Sequence, residues 1–167
     1  VVPRRILEEL EFRPPATADV LRHMDALSAA RDGWINLLPG VPGEAAELPP
    51  RGIFSGLFGS PELPVSMCTW MPRGARGSPA SQTVGILHPR GRGAAAQLSE
   101  LGVPVPAGWL VRQDHGKRGL IVHPAQDASC ADVLHWTLRA GEVLALMPLT
   151  GAWQARVYLP RWRASPS

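Results

Sequence analysis

Apolar positions in this chain follow two rhythms, and the rhythms divide it into segments. Ile6, Leu7 and Leu10 recur at helical spacing, so residues 4–12 are expected to form a short helix with Pro3 in its first turn. Arg13-Pro14-Pro15 ends it. Val20, Leu21, Met24 and Leu27 then form the stripe of a second helix, 18–31, with Thr17 as its cap and Gly33 as its stop. His23 lies off that stripe beside Asp19 and is expected to be solvated. Residues 1–38 are therefore read as an N-terminal helical segment.

Residues 39–64 lose periodicity and gain Pro and Gly, which reads as extended loop. Within it, Ile53-Phe54-Ser55-Gly56-Leu57-Phe58 is apolar enough to need cover, as a plug for the core or a pocket lining. From Val65 the apolar runs shorten and strands are expected at 65–71, 83–88, 109–114, 119–123, 143–147 and 153–159. Residues 109–123 read as a hairpin around His115-Gly116. Helices are expected at 93–101, closed by Gly102, and at 129–140, where Ser129 caps, Asp132 holds the capping-box position and Gly141 ends the helix. Residues 72–79 read as a long mobile loop and 160–167 as a frayed tail.

The segment 85–103 is echoed by 119–143: each runs from a strand ending in His-Pro through a loop into a helix. The expectation is one α+β domain over residues 1–167. Its mixed or mainly antiparallel sheet has about six short strands with three to four helices, arranged as two strand–strand–helix units in the body 65–159.

Composition narrows the class. Apolar residues make up 45% and charged residues 19% of 167, which suits a globular domain able to bury a core without staples. No apolar run approaches a membrane span, and the opening residues turn charged at once, unlike a secretory leader. Cys68 and Cys130 have no framework spacing, so free thiols and a cytoplasmic setting are expected. The net charge of +3 conceals a split between an acidic first fifty residues and a basic remainder. That split suits an anionic ligand or mutual complementarity on folding. Lys117 is the only lysine, and with abundant Ala, Gly and Pro this fits a GC-rich bacterial source. Arginine content alone thus argues little for nucleic acid.

Four features bear on chemistry. The first is the loop Arg90-Gly91-Arg92-Gly93-Ala94-Ala95, which follows a strand and opens a helix. Backbone N–H groups at a helix start, with glycines and two guanidinium groups, suit a phosphate. The loop resembles the pyrophosphate-binding loop of the GNAT N-acetyltransferases. That resemblance implies coenzyme A bound to the backbone amides of residues 90–95, in a cleft between diverging strands. The family's tyrosine acid has no counterpart in Leu134-His135-Trp136, and its downstream asparagine and Gly-Phe landmarks are missing.

The second feature is the pair His88 and His123, each ending a strand before a proline. On neighbouring strands both imidazoles would share one sheet edge, with Asp127 or Cys130 as a third group. No metal is expected, because the spacing matches no ligand set. The third is the helix 129–140, where Cys130, Val133, Leu134, Thr137 and Leu138 share a face and Asp132 and Arg139 lie opposite. His135 and Trp136 fall on its flanks, and a solvent-facing Trp136 would mark a contact surface for a second copy or a protein partner. The fourth is the interleaving of Trp153, Arg156, Tyr158, Arg161, Trp162 and Arg163, as on some single-stranded nucleic-acid surfaces. It follows equally from a half-buried strand, and nucleic-acid binding is not expected. The leading expectation is a non-catalytic domain that binds a protein partner or small ligand. A coenzyme-A-dependent N-acyltransferase is the alternative.

Overall fold

The computed structural model describes residues 5–43, 64–75, 78 and 80–159. Among these, seven strands and three helices follow in the order β1 (Arg5–Phe12), α1 (Ala18–Ala30), β2 (Trp34–Pro39), β3 (Met67–Met71), β4 (Thr83–Leu87), α2 (Ala94–Glu100), β5 (Leu110–His115), β6 (Gly119–His123), α3 (Cys130–Leu144) and β7 (Trp153–Leu159). The strands form one sheet in the order β1-β7-β2-β3-β4-β6-β5. Every pairing is antiparallel. The fold is α+β, with one strand more than the sequence pattern implies. The chain runs twice through two strands and a helix, β3-β4-α2 and β5-β6-α3, as the echo between 85–103 and 119–143 suggests.

Alternation explains how the sheet acquires one dry face. Ile35 and Leu37 of β2, Cys68 and Trp70 of β3, Val84 and Ile86 of β4, and Ala155 and Val157 of β7 point to the same side. There they join one core with Val20, Met24 and Leu27 of α1, Leu98 of α2, and Val133, Leu134 and Leu138 of α3. α3 lies between α1 and α2, touching both. On the opposite face, directly opposed residues pair. Trp34 stacks on Tyr158 with ring centroids 5.0 Å apart, Thr69 Oγ1 donates to Asn36 Oδ1 at 2.7 Å, and Arg156 Nε meets Glu9 Oε1 at 2.7 Å.

Four expectations need correction. Residues 5–12 are an edge strand, not a helix: β1 pairs with β7 only, and a bulge between Ile6 and Glu8 breaks its alternation. The N-terminal segment is therefore strand, helix and strand, since 34–39 is the inner strand β2, between β7 and β3. Gly141 does not end α3, which continues to Leu144, so the strand expected at 143–147 does not form. Instead Leu146 N–H bonds Pro64 O at 2.8 Å, and Gly40 N–H bonds Ala152 O at 2.7 Å. His23 is not solvated: its Nε2 lies 2.8 Å from Glu8 Oε2, and only 15% of its side chain is exposed. Glu8 reaches it because it alternates onto the same sheet face as Leu10 and Phe12, the face that carries α1.

α1 ends as expected near Gly33, itself at φ 80°, and the left-handed residue at its C-cap is Arg31, with φ 53°. Thr17 occupies the N-cap position without a side-chain cap bond. Ser129 does cap α3, accepting the Asp132 N–H at 3.0 Å. The 53–58 run and residues 161–163 lie outside the described residues.

Candidate functional site

The concave feature with the richest chemistry is an open groove of about 560 Å³ along one flank of α3. Its helix wall follows from spacing. Asp132, His135, Trp136 and Arg139 stand at i, i+3, i+4 and i+7, which is one stripe on an α-helix. The facing wall is built from two tight turns. Gly102, at φ 80°, lets the chain leave α2 sharply, and Val103 then plugs the core while its N–H bonds Leu98 O at 2.8 Å. Pro104 and Pro106 stiffen the next stretch, and Trp109 N–H closes a turn on Pro106 O at 3.1 Å. Ala128 N–H closes the second turn on Ala125 O at 3.0 Å.

The two walls are fastened by tryptophan. Trp136 Nε1–H donates to Pro104 O at 3.0 Å. Trp109 meets Trp136 edge to face, with centroids 5.3 Å apart and planes at 68°, a favoured geometry for aromatic pairs. Trp136 is only 6% exposed, while Trp109 is half-buried and faces the groove. Asp127, Asp132 and His135 are exposed on the lining. Arg139 is held by Glu142 Oε2 at 3.0 Å.

This geometry corrects the reading of Trp136 as a solvent-facing contact residue. Residues 103–109 fold over the α3 flank, so the indole is covered by its own chain. His135 does remain exposed and lines the groove. Sequence reasoning did not single out Trp109 or the groove-facing role of Asp127 and Asp132. The available signal was the i, i+3, i+4, i+7 stripe together with a Trp just after the Pro104/Pro106 bend.

The Arg90–Ala95 loop is occupied by its own fold. Gly91 and Gly93 both sit at φ 75°, which glycine adopts freely. Gly93 holds the N-cap of α2 and has no side chain to cap with. Asp114 of β5 takes that role: its Oδ1 and Oδ2 accept the Ala94 and Ala95 N–H groups at 2.9 and 3.0 Å. Arg90 turns to the far end of α3, donating to the carbonyls of Val143, Leu144 and Ala145 at 3.1, 3.3 and 3.1 Å. A cation there complements the negative end of the helix. Arg92 stays exposed. Asp114→Ala is expected to destabilise the protein by about 1–2 kcal/mol in urea unfolding, because two helix-start donors lose their acceptors. An unchanged midpoint would show that water replaces the carboxylate.

The remaining features disperse. β4 and β6 are neighbours but antiparallel, with Val84 opposite Val122 and Ile86 opposite Leu120. His88 and His123 therefore lie at opposite ends of the pair rather than on one edge. His88 Nδ1 accepts the Arg90 N–H at 3.3 Å, and burial lowers its pKa below 6.5 against the opposing pull of Asp114. Burial, then Arg112, lowers that of His123. No group of three or more His, Cys, Asp or Glu able to hold a metal ion exists among the described residues. Trp153 is buried, Tyr158 stacks on Trp34, and Arg156 is tied to Glu9, so these side chains do not form an open strip for bases. No helix among the described residues is long and apolar enough to cross a membrane.

Both cysteines are free thiols. Cys68 is fully buried, which pushes its pKa up from 9.0 to about 12. Cys130 is partly exposed near Ser28 Oγ at 3.8 Å, and burial raises its pKa as well. The thiolate is the reactive form, so at pH 8 an alkylating agent is expected to modify Cys130 slowly and spare Cys68. Unfolding should release both, and mass spectrometry of tryptic peptides reads the difference. Equal labelling of the native protein would contradict the buried position of Cys68.

No protein-family model, curated protein or solved structure matches this chain.

Proposed function

We propose that the protein is a non-catalytic binding domain and that the groove between α3 and residues 102–109 takes a small ligand. The observation that carries this reading is the groove itself. It has a volume within the range of about 300–1,000 Å³ usual for ligand sites, an apolar lining of valine, proline and alanine that includes a tryptophan pair, and a few polar groups around it. Its walls are fixed in advance by the Trp136–Pro104 hydrogen bond and two closed turns. A preformed site loses less conformational entropy on binding. Among the described residues no nucleophile, base and orienting group converge on it, which favours binding over turnover. A cytoplasmic setting suits the two free thiols.

The acyltransferase alternative draws no support from residues 90–95, because the Ala94 and Ala95 amides already bond Asp114 and Arg90 is engaged with α3. Calorimetry with acetyl-coenzyme A and pyrophosphate is accordingly expected to detect no binding at millimolar concentration. Binding that is lost in the Arg90→Ala/Arg92→Ala variant would restore the alternative.

The binding reading is tested by a thermal-shift screen across amines, carboxylates, nucleotides and aromatic compounds, since a ligand of the folded state raises its stability. Hits are expected to move the indole N–H resonances of Trp109 and Trp136. Hits that leave both resonances still, or a screen without hits, would overturn the site.

A further inference from the structure

We infer that the groove's ligand is a small organic cation, with its ammonium or guanidinium group beside Asp127 and Asp132 and its apolar part against Trp109. This rests on the binding reading above and names the chemistry of its ligand. Three observations converge. First, the lining charge is negative in a chain whose net charge is +3: Asp127 and Asp132 are exposed there and make no ion pair among the described residues. The lining arginine, Arg139, is paired with Glu142 at 3.0 Å. Second, the apolar lining includes the half-buried Trp109 beside valine, proline and alanine side chains. An indole face attracts a cation through its quadrupole, and a neighbouring carboxylate adds to that attraction. Third, Trp136 is 6% exposed and packs edge to face with Trp109 at 68°, so it holds the half-buried Trp109 ring in place at the groove rather than adding a second open face.

The start of α3 contributes an opposing field, equivalent to about half a positive charge. Two full carboxylates exceed it, so the groove stays attractive to cations. Asp132 is partly accounted for by that helix start, where an acid is favoured. Asp127 is not, because it sits in the turn before Ser129. A ligand of matching size carries one cationic group on a ring or short alkyl body. A long polymer is disfavoured, because the described groove is bounded at the closed turns 106–109 and 125–128.

The test titrates the purified chain with benzyltrimethylammonium, with benzyl alcohol as its neutral counterpart and with benzenesulfonate as its anionic one. Tryptophan fluorescence and the Trp109 indole N–H resonance report binding. The cation is expected to bind saturably, about tenfold more tightly than the alcohol, and more weakly as salt rises. The Asp127→Asn/Asp132→Asn variant is expected to lose about tenfold in affinity for the cation while its affinity for the alcohol and its Tm stay near the parent's. Equal binding of cation and alcohol would overturn the cation inference and leave the groove standing as a site. Preference for benzenesulfonate would overturn it by sign. Silence of the Trp109 resonance with all three probes would remove the inference and the groove together. Binding of arginine-rich peptides with no response to the small cation would also overturn it, since the occupant would then be a polymer.

Discussion

Trp136→Ala is expected to lower the stability of the protein by about 3–5 kcal/mol, the usual cost of truncating a buried aromatic. The residue is 6% exposed, and its removal empties the space between α3 and residues 103–109. It also deletes the N–H that holds Pro104 O and the edge contact that orients Trp109. Urea unfolding followed by far-UV circular dichroism reads the effect as a lower midpoint at unchanged slope. Trp136→Phe separates the causes. It keeps most of the apolar volume and loses the hydrogen bond, whose acceptor Pro104 is itself exposed to water. Its expected cost is therefore smaller, about 1–2 kcal/mol. Sedimentation is not expected to change in either variant, because an indole covered by its own chain offers nothing to a second copy. A parent-like midpoint for Trp136→Ala, with a shift in sedimentation, would place the indole at an interface instead.

That residue also shows where sequence reasoning stops. Helical phase placed Trp136 correctly on the boundary of the α3 stripe, since phase is a local property of residues 130–144. What covers the boundary is decided by residues 103–109, thirty positions away, and phase carries no information about them. The same division runs through the fold. The helices around Val20–Leu27 and Val133–Leu138 and the hairpin 110–123 were legible because each is patterned within itself. β1 was not, because Ile6, Leu7 and Leu10 stand at helical spacing, and the bulge between Ile6 and Glu8 interrupts the alternation a regular strand would show. β2 was not, because Trp-Ile-Asn-Leu-Leu-Pro is flanked by β7 and β3 and largely buried, which erases alternation. In the loop 90–95 the sequence displayed a helix start with glycines and arginines, which is the correct local structure. The partner that fills it, Asp114, arrives from β5 and depends on tertiary placement.

Gly141 offers the sharpest contest between local and tertiary effects. On helix propensity alone, Gly141→Ala in the last turn of α3 should stabilise the protein by about 1 kcal/mol. The packing argues the other way. A Cβ at this position would lie 2.9 Å from Trp153 Cη2, closer than real Cβ atoms come, and 3.0 Å from Cys68 Sγ, tighter than most such contacts. Neither neighbour has room to retreat: Trp153 is 4% exposed and Cys68 is fully buried under the sheet-facing side of α3. Overpacking a filled core typically costs about 1–3 kcal/mol. The expected net result is thus destabilisation of up to about 2 kcal/mol for Gly141→Ala, and more for the branched Gly141→Val. Cys68→Ala in the same background removes one of the two clashing atoms, so the double variant should lose less than the two single changes added together. Chemical denaturation of the four proteins measures that coupling. If Gly141→Ala proves more stable than the parent and the coupling is zero, Gly141 is not where α3 and the sheet come closest. The glycine would then be an ordinary position inside α3 with room for a methyl group.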